Sequence, residues 1–499
     1  MLATPNPRLS KADVRNIFYG LMLGMFLSAL NQTIVATALP TIGREFGDFE
    51  NLSWVIIAYL LSSTVVSPLY GKLSDIHGRR GMMLLAIGLF IAGSALCAAA
   101  PNMAILIAGR TLQGVGGGGI VPLTQTTIAD MITPRERGRY QAYMGTSWIV
   151  AGVAGPVLGG AIAEYLHWSL IFWINVPLGV FAALLTYHAM KRLPRHERPH
   201  QLDLIGAALM VAAATMLLIA LTSGGSRLPW TSSTIVALIG ISLALSLAFV
   251  WWLRLVPEPF LPLTVLGNPV MCAGTAATSW MLGAVLGLTI YMPFYFQVVH
   301  KLSATEAGLA LIPIVVMTTP GSMLSGRSMM YLRHYKVSAI GGAIIAITSV
   351  TALAIQPAMP LYGVIIALTL IGFGAGTIYP VATVSIQNAV PAHQVATATG
   401  AMNFFRALAS TLAVAIMGTI LLAALGATPE RGTGMEVLVE TARVAGIDIA
   451  IVFRLVFFAA DLFLVAALAA VLLMEERPLR GPATRPAPVS AETPAAPAE

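Results

Sequence analysis

The sequence predicts an all-α, polytopic membrane protein, and three observations lead there. Only 10% of its 499 residues are charged while 57% are hydrophobic, with a mean hydropathy of +0.82. A soluble domain carries about a quarter charged residues, and about three such domains would need far more ionised surface than this. Fourteen apolar runs recur along the chain, each near the ~20 residues that carry a helix across ~30 Å of hydrocarbon. These runs are continuously apolar and do not alternate with period two, which selects helices over a transmembrane barrel.

The first run, 16–39, follows a polar N-terminal tail, 1–15. No small-residue cleavage site comes after it, so it reads as a retained span and not a removed leader. Runs at 54–70, 81–100, 103–128, 139–164 and 168–190 complete a first six-helix bundle over 16–190. A basic connection, 191–202, then separates two extra spans, 203–222 and 233–254, which make up segment 203–254. The remaining runs, 270–298, 305–325, 338–356, 361–387, 397–424 and 449–474, form a second six-helix bundle within 255–474. The Pro/Ala-rich tail, 475–499, has too little apolar content to fold and is expected to be disordered. The connection 427–448 is long enough for a short amphipathic helix.

Loop charge sets the orientation. With the N-terminus placed inside, twenty of the 28 Lys and Arg fall on the cytoplasmic side, five fall outside and three, Arg110, Arg406 and Arg454, lie within spans. Both termini are therefore expected in the cytoplasm of a multi-pass protein of the inner (plasma) membrane. The same bias explains the net charge of +7, so no nucleic-acid partner is needed. The two cysteines, Cys97 and Cys272, sit in apolar runs as small hydrophobes and make no disulfide framework.

Two patterns are decoys. His196-Glu197-Arg198-Pro199-His200 fits H-E-x-x-H, but Pro199 inside it and Pro194 before it oppose the helix that would bring both imidazoles onto one metal. Gly114, Gly116 and Gly119 fit G-x-G-x-x-G, yet they lie inside an apolar span with no preceding strand and read as close helix contacts. No phosphate-binding G-x-x-x-x-G-K-[ST] occurs, so the chain cannot hydrolyse ATP through that route, and a transporter built on it would have to be driven by an ion gradient or by an ATPase partner. No metal and no cofactor is called for.

The connection between the second and third spans reads Gly71-Lys72-Leu73-Ser74-Asp75-Ile76-His77-Gly78-Arg79-Arg80. Its glycines suit a tight turn, its Asp sits near the next helix start and its arginines face lipid headgroups. The spacing G-x-L-x-D-x-x-G-R-R resembles the signature loop of the major facilitator superfamily. Span one carries Asn31-Gln32-Thr33-Ile34-Val35 through Leu39-Pro40, similar to the L-D-x-T-I-V-x-x-A-L-P of the fourteen-span drug:proton antiporters of the EmrB/QacA type. Arg110-Thr111-Leu112-Gln113-Gly114 resembles that family's R-x-x-Q-G. Gly152-Val153-Ala154-Gly155-Pro156 with Gly159-Gly160 resembles its antiporter motif. Further similar stretches are Phe172-Trp173-Ile174-Asn175-Val176-Pro177, Tyr291 through Gln297, Gln387 through Pro391 and Asn403-Phe404-Phe405-Arg406. The likeness covers about residues 16 to 480.

The resemblance implies a major facilitator fold and a proton-coupled secondary transporter that exports small amphipathic molecules by alternating access. Its partners would be protons, amphipathic cargo and membrane lipids, joined in a Gram-negative envelope by a periplasmic adaptor and an outer-membrane channel. A dedicated metabolite, lipid or siderophore transporter is the rival of the same fold; a sensor or scaffold is the rival of another class. Asp75 and Asp130, beside Arg79 and the Arg135-Glu136-Arg137 run, are expected to latch the cytoplasmic side. Arg110 is costly inside a span and is expected to face the cavity or a partner. Gly152, Gly155, Pro156, Gly159 and Gly160 are expected to make a hinge or seal at the bundle interface. Asn31, Gln32, Thr33, Tyr59, Tyr291, Tyr295, Gln297 and Asn403 are the candidate cavity lining, with Trp280, Phe294, Phe404 and Phe405 suited to an adaptable apolar pocket. Asn31 stands where the family pattern has a carboxylate, and an amide cannot exchange a proton. Asp461, the only acidic residue deep within a span, is the natural replacement, with Arg406 as a counter-ion.

Overall fold

The structure is a computed structural model and describes residues 10–48, 51–192, 203–225, 228–425 and 449–479. The amphipathic helix expected in 427–448, the His196–His200 pattern and the disorder expected beyond 479 lie outside the described residues.

Among the described residues, fourteen helices are long and apolar enough to cross a membrane: α1 Ala12–Phe46, α2 Trp54–His77, α3 Arg79–Ala98, α4 Met103–Met131, α5 Pro134–Tyr165, α6 Leu170–Ala189, α7 Leu204–Ser223, α8 Ser233–Leu255, α9 Pro269–Val299, α10 Thr305–Tyr331, α11 Lys336–Ile355, α12 Leu361–Ala389, α13 Ala392–Ala424 and α14 Ile449–Leu473. They match the fourteen runs one for one. Their ends follow local chemistry. Ser10 and Asp13 close a capping box at the start of α1, as Ser303 and Glu306 do at the start of α10. Gly78 turns the chain between α2 and α3 at φ +84°, a backbone angle that glycine adopts without a steric penalty.

Two helices are broken where the hydropathy pattern shows one run. The regular pattern of α10 is interrupted at Leu311 and Met317, next to Pro313 and Pro320, and α6 is interrupted at Ile174, three residues before Pro177. Each proline removes the backbone N–H that would bond one turn back. By contrast α5 runs unbroken through Pro156.

Helices α1 to α6 pack on one another as one bundle and α9 to α14 as a second. Two seams join the bundles: α5 lies along α10 and α12, and α2 with α4 lies along α13. Of the extra pair, α7 packs on α2 and α13 and so covers the second seam, while α8 packs on α7. Leu243, Leu247 and Trp251 of α8 are each about 60% exposed, the pattern of a helix whose outer face meets lipid.

Candidate functional site

The signature hairpin folds as a charge cluster at one end of the first bundle. Arg79 Nη1 donates to Asp75 Oδ1 at 2.7 Å and to Ser74 Oγ at 2.6 Å, and Arg79 Nε donates to Asp130 Oδ2 at 2.9 Å. One guanidinium thus ties α2, α3 and α4. The bond that crosses to the other bundle is different: Thr397 Oγ1 of α13 donates to Asp75 Oδ2 at 3.1 Å. Arg80 takes no part and stacks on Tyr187 at 4.2 Å. The approach is close because Gly71 faces the Ala396 carbonyl, which a Cβ would strike at 2.6 Å. On the opposite seam Gly138 and Gly326 meet backbone to backbone near the same end. The two bundles are therefore clamped together on the face that carries the hairpin.

Deeper in, a second layer joins the bundles. Asn403 Nδ2 of α13 donates to Gln125 Oε1 of α4 at 2.8 Å and to Thr399 O at 2.9 Å. Gln125 in turn donates from Nε2 to the Tyr379 hydroxyl of α12, and Arg406 lies over the Tyr379 ring at 4.8 Å. Asn403 was expected to line a cavity; it is 7% exposed and forms part of this inter-bundle clasp.

A third polar cluster lies wholly inside the first bundle. Arg110, 1% exposed, donates from Nε to Val55 O at 2.8 Å and from Nη1 to Gln113 Oε1 at 2.5 Å, and its guanidinium lies 4.4 Å from the Tyr59 ring centroid. Gln113 Nε2 donates to Asn31 Oδ1 at 3.0 Å and to Ser94 Oγ at 2.6 Å, and Asn175 Nδ2 reaches the same Asn31 oxygen at 3.4 Å. The buried arginine faces a protein partner and not an open cavity. No carboxylate of the described residues lies within 4 Å of it. Asn31 Nδ2 is left buried without a hydrogen-bond partner.

Several expected lining residues are core instead. Asn31, Tyr59 and Tyr295 are at most 1% exposed, and the two hydroxyls are satisfied within one bundle: Tyr59 with Ser28 at 3.2 Å and Tyr295 with Pro357 O at 2.6 Å. Thr33 bonds Ala151 O at 2.8 Å and fastens α1 to α5. Tyr291 bonds Val414 O at 3.1 Å, fastening α9 to α13, and the exposed Gln297 bonds Pro293 O within α9. Gln32 is half-buried on α1. The aromatic pocket is likewise mostly packing: Trp280 stacks on Phe463 at 5.3 Å and Phe294 packs on Phe453 at 5.8 Å. Of the antiporter motif, Gly155 and Gly159 receive Thr33 and Thr37 of α1, Gly160 has nothing against it, and Gly152 alone approaches the other bundle, at Val315. Gly114 packs against Ser62 and Tyr59, as a close helix contact should.

Asp461 accepts from Thr351 Oγ1 at 3.0 Å, and its second oxygen is buried without a partner. It lies between α14 and α11, which pack within the second bundle away from both seams. The expected Arg406 counter-ion is not beside it, since Arg406 is on Tyr379 and forms no ion pair among the described residues.

Three contributors were missed by the sequence reading. Gln125 stands in the run Thr124-Gln125-Thr126-Thr127, and four polar residues inside an apolar span are a readable sign of an interior contact. Tyr379 and Thr397 carry no such sign, as their neighbours are ordinary for spans.

The family model of the Major Facilitator Superfamily matches residues 21–414. The chain is 35% identical over 434 residues to the efflux pump FUS6 of Gibberella moniliformis, covering 83% of this chain and 76% of that one. It is 30% identical over 405 residues to the multidrug transporter protein MdtP of Bacillus subtilis, covering 81% and 74%. Among solved structures, the human organic anion transporter MFSD10 superposes with a TM-score of 0.62 at 18% identity, over 90% of this chain and 99% of that one. At that identity the likeness is one of fold alone.

Proposed function

We propose that this chain, which belongs to the major facilitator superfamily, is a multi-pass transporter that exports small amphipathic molecules from the cytoplasm against an inward flow of protons. The single observation that carries the transport cycle is the one-sided clamp. Asp75–Thr397, Gly71–Ala396 and Gly138–Gly326 close the hairpin face, and the Gln125–Asn403–Tyr379 layer backs them. If the Lys/Arg-rich loops and both termini are cytoplasmic, as the loop charges favour, this clamp closes the cytoplasmic side, as one state of a rocking cycle requires. Export is supported by the relatives, an efflux pump and a multidrug transporter protein.

The proton-sensitive step falls more naturally on Asp75 than on Asp461. Asp75 touches both bundles, and protonation would weaken its bonds to Arg79 and Thr397 together, releasing the clamp. Asp461 would have to act through α11 and α14 from outside both seams.

A panel of lipophilic cations, neutral compounds and anions, loaded into a pump-deficient host with and without a protonophore, tests the proposal. Chain-dependent efflux that collapses with the protonophore is expected. Efflux unchanged by the protonophore would remove proton coupling, and efflux of no compound would remove the exporter reading.

A further inference from the structure

We propose that Arg406 is the anchor for an acidic group on the cargo, so that the preferred substrates are amphipathic acids. The inference rests on the transport reading above and names the substrate class. Arg406 is eleven residues beyond Val395, about 16 Å along α13 at 1.5 Å per residue, hence near the middle of the span. It lies one turn past Asn403 on the same helix face, on the side of the clasp away from the clamped hairpin face. Its guanidinium lies over the Tyr379 ring, whose hydroxyl is bonded by Gln125 of the other bundle, so it stands at the seam where the bundles part.

What it lacks is an anion. No carboxylate of the described residues lies within 4 Å of it, and its Nε is buried with no hydrogen-bond acceptor. One turn away, Asn403 Oδ1 is also buried and unpartnered, while its amide nitrogen is already committed to Gln125 and Thr399. A cation in a membrane span without a counter-ion is costly and marks a substrate or ion path. Of the other two span arginines, Arg110 is enclosed within one bundle by Val55, Gln113 and Tyr59 and offers no open face, while Arg454 is exposed over Phe458 near the start of α14, a helix that lies on neither seam. Arg406 is only part-buried, so its fork is free to take a carboxylate, and cargo that brings the missing charge binds where the bundles rock.

The test uses the full chain in lipid nanodiscs with 11-(dansylamino)undecanoic acid and its methyl ester as probes, subtracting binding to empty nanodiscs. The acid should bind the wild type about tenfold more tightly than the ester. Arg406→Gln should bring the two to near parity by weakening the acid and leaving the ester. Tyr379→Phe, which keeps the ring and loses the Gln125 bond, should retain the preference. Parity of acid and ester in the wild type, a measurement that needs no variant, overturns the anchor, as does a preference that survives Arg406→Gln. Saturable ester binding without acid preference removes the anchor and leaves the transporter standing; saturable binding of neither probe, together with no efflux in the panel above, removes both.

Discussion

Arg110 is a buried cation held without a carboxylate among the described residues. In the resembling antiporters a carboxylate stands at the position of Asn31, whereas here an amide accepts from Gln113 and Asn175 and leaves its own Nδ2 unpartnered. The arginine is therefore held by a backbone carbonyl, a glutamine and an aromatic face, a set that needs the planar fork. Arg110→Lys keeps the charge and loses that geometry, so it should cost about 2–3 kcal/mol of stability and most transport, read by thermal unfolding in detergent and by efflux. Full transport by the Lys variant would show that a point charge suffices. Asp75 and Asp461 separate just as sharply. Asp75→Asn should strip proton dependence from efflux while the protein still inserts, whereas Asp461→Asn should leave that dependence in place, because only Asp75 touches both bundles. The opposite result in a protonophore-titrated efflux assay would return the coupling role to Asp461. The sequence places Asp461 at the middle of α14, as observed, but not the helix face it occupies. Hydropathy reports how far along a span a residue lies, and which neighbour it faces depends on bundle packing that no single span encodes.

At the scale of helices, the seams work by closeness. Gly138 of α5 and Gly326 of α10 meet with backbone atoms in contact, and Gly71 of α2 does the same at α13. Gly326→Leu would drive a side chain into the Gly138 carbonyl and should hold the hairpin face open. Cysteine labelling from that face should rise and transport fall, with thermal stability changed by no more than about 1–3 kcal/mol, the usual cost of overpacking. Labelling as low as in the wild type would mean that this seam is not the gate. Span number, order and loop placement were legible because twenty-residue apolar runs have no soluble alternative. The breaks in α6 and α10 were not read, although Pro177, Pro313 and Pro320 were visible, since hydropathy averages over a missing backbone bond. The antiporter glycines were legible as packing sites, but their partner, α1 for Gly155 and Gly159 instead of the other bundle, was not.

For the whole molecule, the extra pair of helices breaks the symmetry of the two seams. Helix α7 lies on α2 and α13, whereas the seam of α5 and α10 has no such cover among the described residues. The account's central claim is that clamping and release of the hairpin face couple cargo export to proton entry. The most direct test reconstitutes the full chain in proteoliposomes with a trapped pH indicator and imposes a proton gradient across the membrane. The account predicts dansylated acid moving up its own gradient in the direction opposite to the protons, together with an extra proton flux that appears only when the acid is present and is lost in Asp75→Asn. Acid movement that never exceeds its own gradient, with a proton leak indifferent to cargo, would contradict it.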